Sequence, residues 1–185
     1  MSLTTTLYPS NSVTVQASQP NNNFIGQDTL GSGDDNDSPE KFRSLIKFSF
    51  ASIIPAGSKI VSATLRLVVK ANTATNTRTH RVYKVTTDWT DSTVTWNTQP
   101  SYTTELGSLS IVASPSVGSN QDWTLTPSEI ISYWNGTTTN YGFILKADTE
   151  VDDNHEFYSS RNGTQSNRPQ LIITYNPPVR RSFLI

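Results

Sequence analysis

Cysteine is absent from this chain of 185 residues, which excludes disulfides, thiolate metal sites and cysteine nucleophiles together. Charge is scarce too, because Asp, Glu, Lys and Arg make up only 16% of the residues, against about 25% in an average domain. The formal net charge is −1 and the basic residues are scattered, so the sequence lacks the basic stripe of a nucleic-acid-binding protein. No stretch approaches the ~18 apolar residues of a membrane span, and the N-terminal segment does not show the pattern of a signal peptide.

What the sequence has in abundance is Ser, Thr and Asn, which together form about a third of the chain. Threonine suits the half-wet face of a pleated sheet, so this composition favours exposed β structure. The length fits one domain with a substantial core. We expect residues 1–176 to form one module and residues 177–185, which follow a double proline, to leave it as a C-terminal arm.

Alternation of apolar and polar residues is the main structural signal. In VSATLRLVV, the side chains of Val61, Leu65 and Val69 fall on one face and Arg66 on the other, as in a strand with one wet side. Gly, Pro, Asn and Asp separate such runs at the spacing of a sandwich or barrel. Besides 61–69, the predicted strands are 12–16, 44–50, 80–85, 108–112, 141–147, 155–160 and 169–175.

One segment has helical spacing instead. In LTPSEIISYWNG, Thr126 and Glu129 have the spacing of a capping box, and Pro127 suits the first helical position. The sequence therefore predicts a short helix at about 127–134, ended by Asn135 and Gly136. The predicted fold class is all-β: a jelly-roll-like antiparallel sandwich with this one helix.

The order of the motifs resembles a known family. The succession FRSLIKFSF, IPAGSKIVSATLRLVV, VYKVTTDWTDSTVTWNTQP, the helix, NYGFILKA and FYSSRNGTQSNRPQLIITY is similar to that of DNRLRE (disaggregatase-related) domains. The resemblance covers roughly residues 5–176. It implies a non-catalytic β-sandwich related to jelly-roll carbohydrate-binding modules, of a kind appended to secreted enzymes and surface proteins. A shared fold does not carry a ligand with it.

Two tryptophans seven positions apart, Trp89 and Trp96, admit two interpretations. They could form an aromatic platform for a ligand, or they could belong to the framework, as W-x-x-x-T-V-T-W-N does in the resembling family. Thr93–Thr95 reads as a short β run leading into a turn, and large rings at such positions are usually buried. We therefore predict that Trp89, Trp96 and Trp123 are mainly structural.

No catalytic signature is visible. The two histidines, His80 and His155, are far apart in sequence, and no nucleophile elbow, zinc-protease helix, phosphate loop or dinucleotide fingerprint occurs. A glycosidase needs two carboxylates at a set separation, but the acids here crowd into polar segments. We expect no enzyme activity.

Two acidic segments, 31–40 and 147–156, are rich in the oxygen ligands that calcium prefers. The simpler interpretation is that both are solvated loops, because neither has EF-hand spacing. Jelly-roll binding modules often hold a structural calcium, and if this chain does, Asp152 and Asp153 are better candidate ligands than Asp34, Asp35 and Asp37.

Glycan binding requires an exposed aromatic ring together with polar side chains that reach hydroxyl groups. The candidate ligand-binding residues are Tyr102, which follows a turn, Trp134 at the helix end, and a second group, Tyr158, Arg161 and Asn162. Each of them also fits a half-buried framework position.

The sequence favours a non-catalytic module that binds a glycan or host-surface polysaccharide. The alternative is a structural or decoration protein of a phage virion or similar assembly, in which Phe183, Leu184 and Ile185 of the arm contact further copies or a larger particle. Both interpretations predict an extracellular or virion-surface location, with no nucleic acid and no membrane insertion.

Overall fold

The computed structural model describes residues 1–35, 40–50, 53–71, 73–151 and 153–178. Within them the chain forms eleven strands, one α-helix and a short 3-10 turn at Gln165–Asn167. The elements in chain order are β1 (Leu3–Leu7), β2 (Pro9–Gln16), β3 (Leu30–Asp35), β4 (Glu40–Phe48), β5 (Lys59–Ala71), β6 (Arg78–Val85), β7 (Tyr102–Ile111), β8 (Asn120–Leu125), α1 (Pro127–Trp134), β9 (Phe143–Ala147), β10 (Asn154–Phe157) and β11 (Gln170–Asn176).

All strand pairs among these elements are antiparallel. The hydrogen-bonded order is β1-β11-β5-β10-β3-β4-β9-β6-β7, with β2 on β4 and β8 on β5. The long strand β5 joins the two layers, because it pairs with β11 and β8 along most of its length and with β10 near its end. The sheet therefore curls over itself into an all-β, jelly-roll-like sandwich, and the predicted fold class is confirmed.

The main core lies between the layers. Ala63, Leu65, Leu67 and Val69 of β5 are fully buried, as their alternation predicts. Val61 is an exception, with 48% of its surface exposed. A register shift explains it: Thr174 and Tyr175 of β11 lie opposite Ser62 and Ile60, so Val61 is an extra residue in a bulge and turns outward.

A second core lies on the outer face of the sheet, between its strands and the segment that connects β6 to β7. Trp89 is 8% exposed, and its indole N–H donates to the carbonyl of Tyr141 at 2.6 Å. Trp96 is half-buried beneath the Arg43 guanidinium, 4.5 Å from the ring centroid. The structural interpretation of both rings is confirmed. The predicted β run at Thr93–Thr95 is wrong, because Thr93 ends a turn and the next two residues have no regular structure.

The helix spans the predicted residues, but its first turn is held differently. The Thr126 hydroxyl makes no capping bond and instead donates to the carbonyl of Leu106 at 3.1 Å. The Glu129 carboxylate pairs with Lys84 at 2.7 Å. The predicted capping box is therefore wrong, since both side chains bind strands beside the helix. Gly136 follows the helix with a φ of 74°, as a terminating glycine does.

Among the described residues, no helix has the length and hydropathy needed to cross a membrane.

Candidate functional site

The two histidines, remote in sequence, meet in the main core. His80 of β6 lies 2.8 Å from the Ser32 hydroxyl through Nδ1 and 3.1 Å from Nδ1 of His155 through Nε2. Nε2 of His155 lies 3.3 Å from the carbonyl of Val112, which can only accept. The Val112 carbonyl therefore fixes both imidazole tautomers. His155 donates to Val112, His80 donates to His155, and Ser32 donates to His80.

This Ser–His–His chain has the connectivity of a hydrolase relay, but it is sealed. The exposed fractions of Ser32, His80 and His155 are 0%, 0% and 1%. Burial is the larger cause, and the neighbouring His155 the next, that lowers the pKa of His80 to about 3. The pair is therefore neutral near pH 7. No substrate reaches the hydroxyl, and the chain serves as a satisfied polar network in the core.

A groove forms on the opposite face of β3 and β10, the strands that carry Ser32 and His155. Register partners lie side by side on one face of a sheet, and one such row runs from Gln16 on β2 through Phe42 on β4 and Gly33 on β3 to Asn154 on β10. Next to it, Gly31 lies opposite Glu156. Glycine has no side chain, so β3 forms a low floor between higher walls. We call this depression of about 250 Å³ the Phe42 groove; its lining is Thr14, Gln16, Phe24, Gln27, Thr29, Gly31, Phe42, Asn154 and Glu156.

The floor of the Phe42 groove has no room for a larger residue. A Cβ at Gly31 would lie 3.0 Å from Cβ of Phe42 and 3.2 Å from the side-chain oxygen of Asn154. At Gly33 it would lie only 1.8 Å from the carbonyl of Asp153, and the φ of 134° is itself a glycine conformation. These two glycines therefore let β10 and β4 approach β3 closely enough to build the walls.

The lining of the groove combines two half-buried aromatic rings with amide, hydroxyl and carboxylate groups. Phe24 and Phe42 supply the rings, and Gln16, Gln27 and Asn154 supply amides. Burial raises the pKa of Glu156 above its ordinary value, and Lys70 opposes that shift in part. Such a mixture of apolar surface and few convergent polar groups is typical of sites for small polar molecules.

An acidic depression adjoins the groove across Asn154 and Glu156. Its other lining residues are Asp34, Asp35, Thr73, Thr75 and Asp153. The prediction of a solvated loop over 31–40 is wrong for its first half, because Leu30–Asp35 is strand β3 and Asp34 is 6% exposed. Asn154–Phe157 is strand β10, so the predicted loop over 147–156 is wrong at its end, where residues 155–157 confirm part of the predicted strand 155–160.

Asp153, a candidate calcium ligand, is 5% exposed and bound by the chain itself. Its carboxylate accepts from the Thr75 backbone N–H and from the Asn76 amide, both at 2.5 Å, and lies 3.6 Å from Arg78. Burial alone would raise the pKa of Asp153, but these hydrogen bonds outweigh it and hold the pKa below its usual range. No cluster of three acidic or imidazole groups suited to a metal occurs in the described part of the chain. Asp37 and Asp152 lie outside that part, so the calcium hypothesis stays a prediction.

The predicted ligand-binding residues do not come together in one place. Tyr102 begins β7, half-buried, with its ring centroid 5.3 Å from that of Tyr83. Trp134 lies elsewhere, at the helix end, where its indole N–H donates to Ile54 at 3.2 Å. With Asn135 it borders an open depression of about 600 Å³ formed by residues 54–57.

The second predicted group supports the Phe42 groove from behind. Asn162 donates to the Asp28 carboxylate at 2.8 Å, and the neighbouring Ser159 donates to the carbonyl of Gln27 at 2.9 Å. Arg161 is exposed and lies 3.4 Å from Asp91, while Tyr158 is half-buried. The turn at 158–162 thus anchors the segment that forms one wall of the groove. The arm residues Phe183, Leu184 and Ile185 lie outside the described part of the chain.

A curled antiparallel sandwich that carries an open groove of rings and amides belongs to the class of ligand-binding β-sandwich modules. The particular family follows from a family model, carbohydrate-binding module family 96, which matches residues 3–175. Because the match spans nearly the whole chain, the chain belongs to that family. No curated protein matches it. The finer resemblance to DNRLRE domains stays a prediction.

Sequence reasoning missed every side chain of the groove. The available signal was alternation: Thr14 and Gln16, Gly31 and Gly33, and Asn154 and Glu156 are pairs two residues apart. Each pair shares one face of its strand. The run LGSGDD, however, reads as a turn, so β3 was not predicted and the other pairs had no common surface.

Proposed function

We propose that this module binds a glycan without transforming it and that the Phe42 groove is the binding site. The observation that carries the proposal is the convergence of Phe24 and Phe42 with three amides and one carboxylate over a floor of glycine backbone. Membership of a carbohydrate-binding family supports the class of ligand.

Each part of the groove has a role in this proposal. A ring face of Phe42 or Phe24 covers the apolar C–H face of a sugar, which is the larger contribution because it removes apolar surface from water. The amides of Gln16 and Asn154 donate to and accept from hydroxyl groups, and the Glu156 carboxylate accepts from them. Single sites of this size bind weakly, and several copies on one surface would recover affinity through multivalency.

The carboxylates of the groove argue for binding rather than hydrolysis. Both classes of glycosidase place two carboxyl groups on either side of the scissile bond. Among the described residues that line the Phe42 groove, Glu156 is the one carboxylate. Among the described residues, the hydroxyl that bonds to a histidine is that of Ser32, and it is enclosed in the core.

A direct test compares two aromatic truncations on a glycan array and by titration calorimetry. Phe42→Ala should weaken binding at least ~10-fold, which corresponds to about 1.4 kcal/mol. Tyr8→Ala is the matched control, because Tyr8 is exposed and lies outside the groove. Equal affinities for wild type and Phe42→Ala, with both variants folded, would refute the location of the site. Binding to no glycan would refute the function itself.

The competing hypothesis, a subunit of a particle, rests on the arm alone. Neither the family nor the described contacts support it. It predicts that removal of residues 177–185 abolishes assembly, whereas the glycan-binding hypothesis predicts that binding survives this removal. Light scattering after size-exclusion chromatography, on the chain with and without these residues, measures this. The same number of subunits for both would contradict the particle hypothesis.

A further inference from the structure

We propose that the Phe42 groove takes a single sugar ring, so that the module recognises chain ends or short branches rather than a long run of polysaccharide. This inference rests on the proposed function and specifies the class of ligand further. It is carried by the size of the groove, by its fixed walls and by what lies beyond them.

The size of the groove is the first argument. Its volume is about 250 Å³. An apolar cavity of roughly 150 Å³ holds benzene, and pockets for larger ligands measure about 300–1,000 Å³. The space between the walls of the Phe42 groove therefore matches one six-membered ring with its hydroxyl groups, and a further ring of a glycan would lie beyond these walls.

The wall formed by residues 24–29 is held in place by several hydrogen bonds. The Thr14 hydroxyl donates to the carbonyl of Thr29 at 3.0 Å, and Lys70 donates to the carbonyl of Asp28 at 2.8 Å. The Ser159 hydroxyl holds Gln27 from outside at 2.9 Å. Because side chains from β2, β5 and the 158–162 turn all bind this wall, widening the groove would break three contacts together.

The opposite wall is the ridge of Asn154 and Glu156, and it is also held. The Asn154 side-chain oxygen accepts from the Ser32 backbone N–H at 3.0 Å, and its amide nitrogen lies 3.5 Å from the Glu156 carboxylate. On the far side of the ridge the surface is the acidic depression, and no aromatic residue is among its described lining. A second sugar ring placed there would have no stacking partner.

The end of the groove at Gln16 is closed by a polar chain. The Gln16 amide donates to the Ser18 hydroxyl at 3.0 Å, and Ser18 donates to the Glu40 carboxylate at 2.7 Å. Ser18 and Glu40 are thereby directed at one another and at Gln16, and these two residues do not continue the groove as a further row of ligand contacts. The open direction is toward solvent, where the rest of a glycan would extend.

The test is a length series measured by titration calorimetry on the full chain. The probes are gluco-, manno-, xylo-, galacto- and uronic-acid oligosaccharides, each from the monosaccharide to the hexasaccharide. In any series that binds, we expect the dissociation constant to change less than about threefold beyond the disaccharide. An extended site would instead gain roughly tenfold for each further stacked ring, at ~1.4 kcal/mol per ring.

A continued rise in affinity from disaccharide to hexasaccharide would overturn the single-ring inference and leave the proposed function standing. Absence of binding in every series would refute the proposed function and this inference with it. A second measurement uses the polysaccharide of the series that binds: partial hydrolysis that doubles the number of chain ends should double the amount of module bound per gram. An unchanged capacity would show that internal units are recognised and would overturn the inference.

Discussion

The buried histidine pair makes stability depend on mild acid. In the unfolded chain His80 has its ordinary pKa of 6.5, whereas burial lowers the pKa in the fold to about 3. The unfolded state therefore binds more protons below pH 6.5, and stability falls as the pH drops from there. Above pH 6.5 the fold keeps its full stability with respect to this group.

The magnitude follows from the difference between the two states. At pH 5 the unfolded imidazole is about 1.5 pH units below its pKa, while His80 in the fold is still neutral. The loss between pH 8 and pH 5 is thus about 2 kcal/mol, and any folded pKa below ~4 gives the same value. In a domain of this size that lowers Tm by roughly 4–8 °C. His155 adds to the loss, because burial lowers its pKa too.

Three carboxyl groups with shifted pKa values also affect how stability depends on pH, at or just below the range from pH 8 to pH 5. Glu156 has a raised pKa, so its burial costs more as the pH rises, and it opposes the histidines. Asp148 and Asp153 have lowered pKa values and stay ionised down to pH 5 in both states, so they contribute little in this window. The isosteric variant Glu156→Gln therefore isolates the histidine effect.

The assay is urea unfolding at pH 8 and pH 5, on wild type and on Glu156→Gln. We expect the free energy of unfolding of Glu156→Gln to be lower at pH 5 than at pH 8 by at least about 2 kcal/mol. Replacing both His80 and His155 with Gln should remove most of this dependence. If that variant does not fold, NMR of the wild-type imidazoles tests the same point. A histidine that titrates near pH 6.5 in the folded protein, or a stability unchanged between the two pH values, would refute the reasoning.

Two further predictions compare matched positions. Gly33→Ala should lower the free energy of unfolding by more than about 3 kcal/mol, because the new Cβ would lie 1.8 Å from backbone. Gly118→Ala is also at positive φ but has nothing within 4 Å, so it should cost only ~1–2 kcal/mol. Thermal unfolding of both variants measures this difference, and equal losses would contradict it. Arg43→Ala should cost about 2–3 kcal/mol, since the carboxylate of Glu150, 8% exposed, loses its 2.7 Å partner and keeps Lys146 at 3.7 Å. Arg66→Ala breaks a pair that is 30% and 42% exposed and should cost under ~1 kcal/mol. Urea unfolding of these two variants decides the order, and a larger loss for Arg66→Ala would be inconsistent with the burial of the two pairs.

The fold was largely predictable from local pattern. Alternation in β5 identified the buried face of Leu65 and Leu67, and helical spacing identified Pro127–Trp134. Both signals come from neighbouring residues whose burial repeats with the period of one element. The bulge at Val61 was not predictable, because it depends on the register with a strand more than a hundred residues away.

The candidate site was not predictable for a related reason. Phe42, Gly33 and Asn154 become neighbours only through the pairing of three strands, and no local spacing encodes this. The sequence instead favours aromatic residues near turns as ligand contacts, but Tyr102 and Trp134 pack in part against the two cores. The glycines of β3 read as a turn, although the missing side chain of Gly31 leaves the floor of the groove low.

The most direct test of the central claim is a map of NMR amide shift changes as the glycan found by array screening is added. The proposed site predicts that the largest changes fall on Gly31, Gly33, Asn154 and Glu156, with the aromatic signals of Phe42 shifting at the same glycan concentrations. Changes concentrated at Trp134 and residues 54–57, with the four groove amides unmoved, would show that the glycan binds beside the end of the helix and would contradict the assignment.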